Sequence, residues 1–264
     1  MQEIISHDKP NVENFNSSRW SDLELIADRV KTSTYSKISD MTTRLNLEST
    51  SPYYESIYFV DEEGYTYSNS GKISKQDDIE PVNLLIKNYS HYAILYRGGN
   101  VIEHYIDYLT YGVTFEPFTV EGRKIIGIYA LCEYDSVTKQ LKISSFSNQG
   151  TTFIFDSNGY FIVQKDAQPD IGNRPNIYTM MVEESGLTDK EIDDIKDKIF
   201  SSKSFLREFK PLDSETHFIY FAPIDDVEWT ICLSVSYSAI SQTTIGFVGL
   251  ALSLLGITVI GFID

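Results

Sequence analysis

Cysteine is nearly absent from this chain of 264 residues, with Cys132 and Cys232 its only two copies. Both sit in apolar runs (IIGIYALCEY and WTICLSVSY) in different halves, and they read as core residues, not as a bridge. Histidine is scarce too: His7, His91, His104 and His217 are scattered without metal-ligand spacing. Positive charge is in deficit, 22 Lys and Arg against 38 Asp and Glu, for a net charge of −16. A surface so acidic repels phosphate backbones, which excludes nucleic acid as a partner. Missing as well are a phosphate-cradling Gly loop, His-Glu-x-x-His, Gly-x-Ser-x-Gly and Cys-x-x-Cys. The acidic pairs at 77–78, 193–194 and 225–226 and the DEE run at 61–63 read as solvated turns and helix faces. The chain is therefore not expected to be an enzyme, and no cofactor is expected.

What is present begins with tyrosine, 18 copies, suited to strands and pocket walls. The segment SRWSDLELIADRVKTSTYSKISDMTTRLNLES predicts one long amphipathic helix. Trp20, Leu23, Ile26, Ala27, Val30, Ile38, Met41 and Leu45 keep three/four spacing, and Thr34 is the single gap. Its start falls at Asn16 or Ser17, or at a capping box of Ser21 and Glu24 with Trp20 and Leu25 as staple. Pro52 ends it. YYESIYFVDEEGYTYSN then reads as a hairpin, followed by a short helix near Ile79–Tyr89 and by β-rich runs turning at Gly98-Gly99. EGRKIIGIYALCEY completes a set of five strands whose order fits an antiparallel sheet of PAS type. The second half repeats this grammar. FDSNGY returns the Asp61-x-x-Gly64 turn as Asp156-x-x-Gly159. LTDKEIDDIKDKIF reads as a helix boxed by Thr188 and Glu191, and KSFLREF, THFIYFAPI and EWTICLSVSY supply three strands. In each turn the Asp is suited to bonding backbone amides and the Gly to positive φ.

From Ile245 to Ile263 no residue is charged. As a helix this run spans roughly 28 Å, close to the hydrocarbon thickness of a bilayer, and it reads as a membrane anchor. The start, MQEIISHDKPNVENF, has neither the basic nor the apolar region of a signal peptide. Two topologies follow: a region whose upstream transmembrane helix is missing, or a tail-anchored cytosolic interaction or dimerisation module without a small ligand.

The leading helix, the YFVDEEG hairpin and the YLTYGVTFEPFTVEGRKIIGIYA block resemble one family in their order. So do GTTFIFDSNGYFIV and FAPIDDVEWTICLSVSYSAI running into the apolar end. This is the double-Cache, PAS-like extracytoplasmic sensor region of bacterial histidine kinases, diguanylate cyclases and chemoreceptors. The resemblance covers about Arg19 to Ile263. It implies an α+β fold: a long N-terminal helix (1–50) along two tandem antiparallel-sheet domains (membrane-distal 51–147, membrane-proximal 148–240), then a transmembrane helix (241–264). It implies that 1–240 lie outside the cell membrane, that the chain dimerises through its N-terminal helix, and that an output module follows. It also implies a small ligand held in a cup of the distal domain. The expected lining is Tyr92, Tyr96, Arg97, Tyr108, Tyr111 and Glu133, with Arg97 gripping a carboxylate and Glu133 receiving an amine. Period-two alternation puts Tyr92 with Tyr96, and Tyr105 with Tyr111, leaving Tyr108 on the face opposite Tyr111, so at most part of this set is expected to line one pocket. The Arg-x-Trp-Tyr motif of the amino-acid-binding subgroup is replaced by Arg97-Gly98-Gly99-Asn100, and Glu133 stands nearest to where the family carries Asp.

Overall fold

A computed structural model describes residues 1–49, 53–76, 78–98, 106–134, 137, 140–141, 150–164, 176–212 and 214–241, with backbone alone at 97–98, 106–107 and 164. The chain divides into two units, Pro10–Lys142 with Pro169–Asn173, and Met1–Lys9 with Ile143–Gln168 and Arg174–Asp264.

The expected single helix is two. α1 runs Gln2–Lys31 and α2 runs Ile38–Glu48. The start lies well before Ser17, so Ser21 and Glu24 are mid-helix and form no box, and Leu25 is exposed, not a staple. The break falls at Thr34, the gap in the stripe. There the Thr32 hydroxyl donates to Arg29 O at 3.0 Å, and the Tyr35 phenol donates to Val30 O at 2.8 Å. These side chains take carbonyls that a continuing helix would need, which ends α1 in a Thr/Ser-rich stretch.

In the first unit, β1 (Ser56–Asp61), β2 (Tyr65–Ser68), β3 (Ile73–Lys75), β4 (His91–Gly98), β5 (Ile106–Val120) and β6 (Arg123–Glu133) form one sheet. Its order is β3-β2-β1-β6-β5-β4, and every pairing is antiparallel. The sheet thus has six strands, not the five read from sequence; β3 is three residues of half-polar edge, too short for a periodic signal. α3 (Glu80–Ile86) has Pro81 in its first turn and packs Val82 and Leu85 with Val60, Tyr92 and Tyr129 on one face of the sheet. The other face carries Tyr111, in whose direction α1 packs: Phe15 and Trp20 lie 6.5 and 6.2 Å from its ring.

In the second unit, β7 (Gly150–Asp156), β8 (Phe161–Gln164), β9 (Phe205–Phe209), β10 (His217–Pro223) and β11 (Trp229–Ser236) are ordered β8-β7-β11-β10-β9. Two helices cover it, α4 (Ile177–Ser185) and α5 (Asp189–Phe200). The sequence reading lacked α4. Its ends are nonetheless well formed, with Asn176 Oδ1 accepting the Tyr178 and Thr179 amides and Gly186 closing in the left-handed region at φ 63°. In α5 the Thr188–Glu191 capping box is present, and Ile192, Ile195 and Ile199 are buried with Phe153, Phe155 and Phe221. Cys132 and Cys232 are both buried and free. Among the described residues no helix is long and apolar enough to cross a membrane; the 245–263 run lies outside them.

Candidate functional site

The two Asp-x-x-Gly turns close equivalent first hairpins, β1–β2 and β7–β8, with Gly64 at φ 84° and Gly159 at φ 88°. Asp61 Oδ1 accepts the Glu63 and Tyr65 amides at 3.0 and 2.9 Å, and its Oδ2 accepts the Tyr67 phenol at 2.6 Å. Asp156 Oδ1 accepts the Tyr160 amide at 2.8 Å. Both carboxylates hold turns together, with Asp61 fully buried at 1% exposure. Neither turn presents a binding surface.

The six expected pocket residues separate by register, because directly opposed residues share a face. One row runs Tyr96, Tyr108, Glu133 across β4, β5 and β6. The next runs Ile94, Thr110, Leu131, and the third Tyr92, Gly112, Tyr129, Tyr58, reaching β1. This is the face under α3. Tyr111 opposes Ala93 and Ala130 on the other face, where its hydroxyl donates to Asn16 Oδ1 at 2.8 Å. It is a core residue between sheet and helix, so the six do not line one recess. Tyr92 shares the face with Tyr96 but is 5% exposed. Its ring fills the space over Gly112 and its hydroxyl donates to Pro81 O at 2.8 Å, which makes it a support for α3. Arg97 opposes Asp107, and its side chain lies outside the described residues, as does the whole of Tyr105.

What remains is joined by residues that sequence reading missed. Tyr58 stacks on Tyr129 with centroids 4.8 Å apart and rings inclined by 13°. The Tyr108 hydroxyl donates to Glu55 Oε1 at 3.3 Å. Burial, then the charge of Glu55, pushes the Tyr108 phenol up to about 12. Burial likewise raises Tyr96, with Tyr58 beside it, and raises Tyr129, with Tyr58 and Tyr96 beside it. In the row between them, Thr110 is 0% exposed and its Oγ1 has no hydrogen-bond partner. A buried hydroxyl without a partner costs about 1–3 kcal/mol, so it marks a place where an added group would be gained. Tyr58 and Tyr129 sit at ordinary strand alternation, and only the long-range β1–β6 pairing brings them to this face. A cleft of about 540 Å³ lies further along the sheet, lined by Leu85, Thr114, Phe115 and the Lys124–Glu62 ion pair. Among the described residues its lining contains no orphan buried polar atom, whereas the tyrosine rows do. Among the described residues no group of His, Cys, Asp and Glu is arranged to hold a metal.

The Cache domain family model matches residues 1–244. The chain belongs to the double-Cache family. Cache domains of this kind are extracytoplasmic sensor domains of membrane receptors, and the chain matches no enzymatic family. No curated protein sequence matches it significantly. Solved structures do. The sensory domain of the Campylobacter jejuni chemoreceptor Tlp3 with isoleucine bound is 14% identical, with a TM-score of 0.59 over 90% of this chain and 92% of that one. The ligand-binding domain of the Pseudomonas aeruginosa amino-acid chemoreceptor PctB with L-Arg is 16% identical, TM-score 0.59, over 90% and 94%. The extracellular domain of mmHK1S-Z3, assigned as a histidine kinase, is 11% identical, TM-score 0.66, over 88% and 93%. At these identities the likeness is one of fold.

Proposed function

We propose that this double-Cache chain is the ligand-binding sensor region of a membrane signal-transduction receptor. In this reading the six-stranded unit binds a small molecule on the face of Tyr96, Tyr108 and Glu133. The observation that carries it is the buried, unpartnered Thr110 Oγ1 in the middle of that tyrosine face. The neighbours' ligands support it: isoleucine, L-Arg and L-Gln occupy the sensory domains of other chemoreceptors. Ligand binding would shift the population between two packings of the unit, and the change would pass through the 245–263 anchor to an output module beyond this chain.

Thermal-shift screening of the purified chain against a metabolite library tests the binding step. At least one compound is expected to raise the unfolding midpoint, and Tyr108→Ala is expected to abolish that rise. A library without a stabilising compound would sink the sensor reading. Placement outside the membrane is tested separately. Both native cysteines are buried, so Leu212→Cys, at a position 72% exposed, gives a single accessible thiol. Labelling by an impermeant reagent in intact cells is expected; protection until lysis would favour the tail-anchored interaction module. Dimerisation through the N-terminal helix predicts a concentration-dependent mass in analytical ultracentrifugation.

A further inference from the structure

We infer that Glu215 aims the segment that leaves the second unit toward the apolar end of the chain. Its carboxylate is the last rung of a zipper that runs from the β10–β11 ladder into the first turn of that segment. The zipper stands on the second unit alone; its use in signalling rests on the sensor reading.

The chain leaves the sheet at Ser236, the end of β11, and turns helical at once, over residues 237–241. The first amides of a helix lack intrahelical acceptors and must find others. One is found locally: Ala239 N donates to Ser236 Oγ at 3.2 Å, an ordinary N-cap contact. The other two are found far back in the sequence. Tyr237 N donates to Thr216 O at 2.8 Å. Ser238 N donates to Glu215 Oε2 at 3.0 Å, and Ser238 Oγ donates to Glu215 Oε1 at 2.9 Å, across 23 positions of sequence.

The order of these contacts carries the inference. His217 pairs with Ser236 in the ladder, Thr216 then holds Tyr237, and Glu215 holds Ser238. Three successive residues running backward hold three running forward, so the antiparallel register continues past the end of the strand. Backbone alone cannot extend it that far, because helical amides turn along the helix axis and away from the neighbouring chain. A side chain makes the third rung, and glutamate brings both the reach and a second oxygen for the hydroxyl. The Ser238 amide, then its hydroxyl, hold the Glu215 carboxyl below its ordinary range, with smaller help from Ser236 and His217. An anion also suits the start of a helix.

Capping alone would not call for so distant a partner. Elsewhere in this unit the helix starts are capped from within: Asn176 takes two amides of α4, and Thr188 and Glu191 box the start of α5. The partner 23 positions away fixes direction. A segment tied only at Tyr237 swings about the bonds between Ser236 and Tyr237; a second tie one residue on removes that freedom. Movement of β10 and β11 then reaches the segment as the rotation of one body and is not lost at a hinge.

The test uses the whole purified chain in detergent micelles, spin-labelled at Leu206→Cys on exposed β9 and at Ser241→Cys in the segment. Both native thiols are buried and stay unlabelled. Pulsed electron paramagnetic resonance is expected to give a narrow distance distribution in the parent and a broad one in Glu215→Ala. The same variant is expected to speed amide exchange at 238 and 239 by about tenfold, leaving β10, β11 and the unfolding midpoint unchanged. Glu215 is exposed, so its replacement does not threaten folding. Glu215→Gln keeps an acceptor at the same reach and is expected to retain the narrow distribution. A broad distribution in the parent, or an unchanged one in Glu215→Ala, would overturn the aiming role. Faster exchange with an unchanged distribution would reduce Glu215 to a cap and overturn it too. Faster exchange throughout β10 and β11 with a lowered midpoint would make Glu215 a general stabiliser, again against the inference. Glu215→Gln behaving as Glu215→Ala would overturn the rung geometry. None of these results bears on the library screen, which decides ligand binding separately.

Discussion

Asp61→Ala offers the most direct test of how this fold is held. The carboxylate is 1% exposed and accepts three hydrogen bonds, from the Glu63 and Tyr65 amides and the Tyr67 phenol. Hydrogen bonds to a charged group contribute about 1.5–3 kcal/mol each, though the three do not add fully because the turn relaxes. The change also strands the Tyr67 hydroxyl, which is 1% exposed. A loss of about 4 kcal/mol follows, which for a unit of this size lowers its midpoint by about 15 °C. Asp156→Ala, in the equivalent turn, removes the bond to the Tyr160 amide at a more exposed site, and about 1 kcal/mol is expected. Calorimetry of the two variants beside the parent resolves the difference. Adding Tyr67→Phe to Asp61→Ala should restore about 1 kcal/mol, because the stranded hydroxyl is gone. Equal losses at the two turns, or no recovery in the double variant, would refute the argument that burial makes the first carboxylate worth more.

Further outcomes follow from packing and titration. In Gly112→Ala the new Cβ would stand 2.1 Å from Tyr92 Cε1, so the ring must leave and release Pro81 O; a loss of about 3 kcal/mol or more is expected in urea unfolding. The Glu191 carboxyl is held below its ordinary range by the Thr188 amide and hydroxyl. Its stabilisation is therefore complete above the ordinary carboxylate range and fades as pH falls through its own lowered value. Carbon NMR titration should show this, and Thr188→Ala should move Glu191 back up and destabilise by about 1 kcal/mol. Burial pushes the Cys132 thiol up to about 12, and Cys232 well above its usual value. Neither should react with a thiol reagent at neutral pH until the chain unfolds, and a rapid native-state reaction would contradict the burial.

Local signals carried much of the fold and little of the site. The two Asp-x-x-Gly hairpins, α3, and α5 with its Thr188–Glu191 box were legible because each is written in fewer than fifteen consecutive residues. α4 was legible in principle, with Asn176 at one end and Gly186 at the other, but its middle, IYTMMVEES, lacks a clear stripe. The break in the leading helix hid in the same way: Thr34 was only a missing apolar residue until Thr32 and Tyr35 were seen to take backbone carbonyls. The start at Gln2 was obscured by Pro10, which lies inside α1. The site is a different matter. Tyr96, Tyr108 and Glu133 meet only through the β4–β5–β6 register, Tyr58 joins them through β1–β6, and the Thr110 orphan is a property of surroundings, not of sequence. That Tyr111 lies on the face opposite Tyr108 was legible, because three residues in a strand reverse the face.

The way α1 is fastened limits how it can move. The Trp20 indole donates to Tyr92 O at 2.9 Å, the Tyr111 hydroxyl to Asn16 Oδ1 at 2.8 Å, and the Tyr54 hydroxyl to Arg19 O at 3.0 Å. Sliding the helix by one turn, about 5.4 Å, would break all three at once. A greasy seam tolerates such ratcheting; one pinned by three polar anchors within five residues does not. Residues Asn16 to Trp20 and the strands beneath them must therefore travel as a single body, so that motion in this unit begins with the sheet carrying its helix, not with the helix slipping across the sheet.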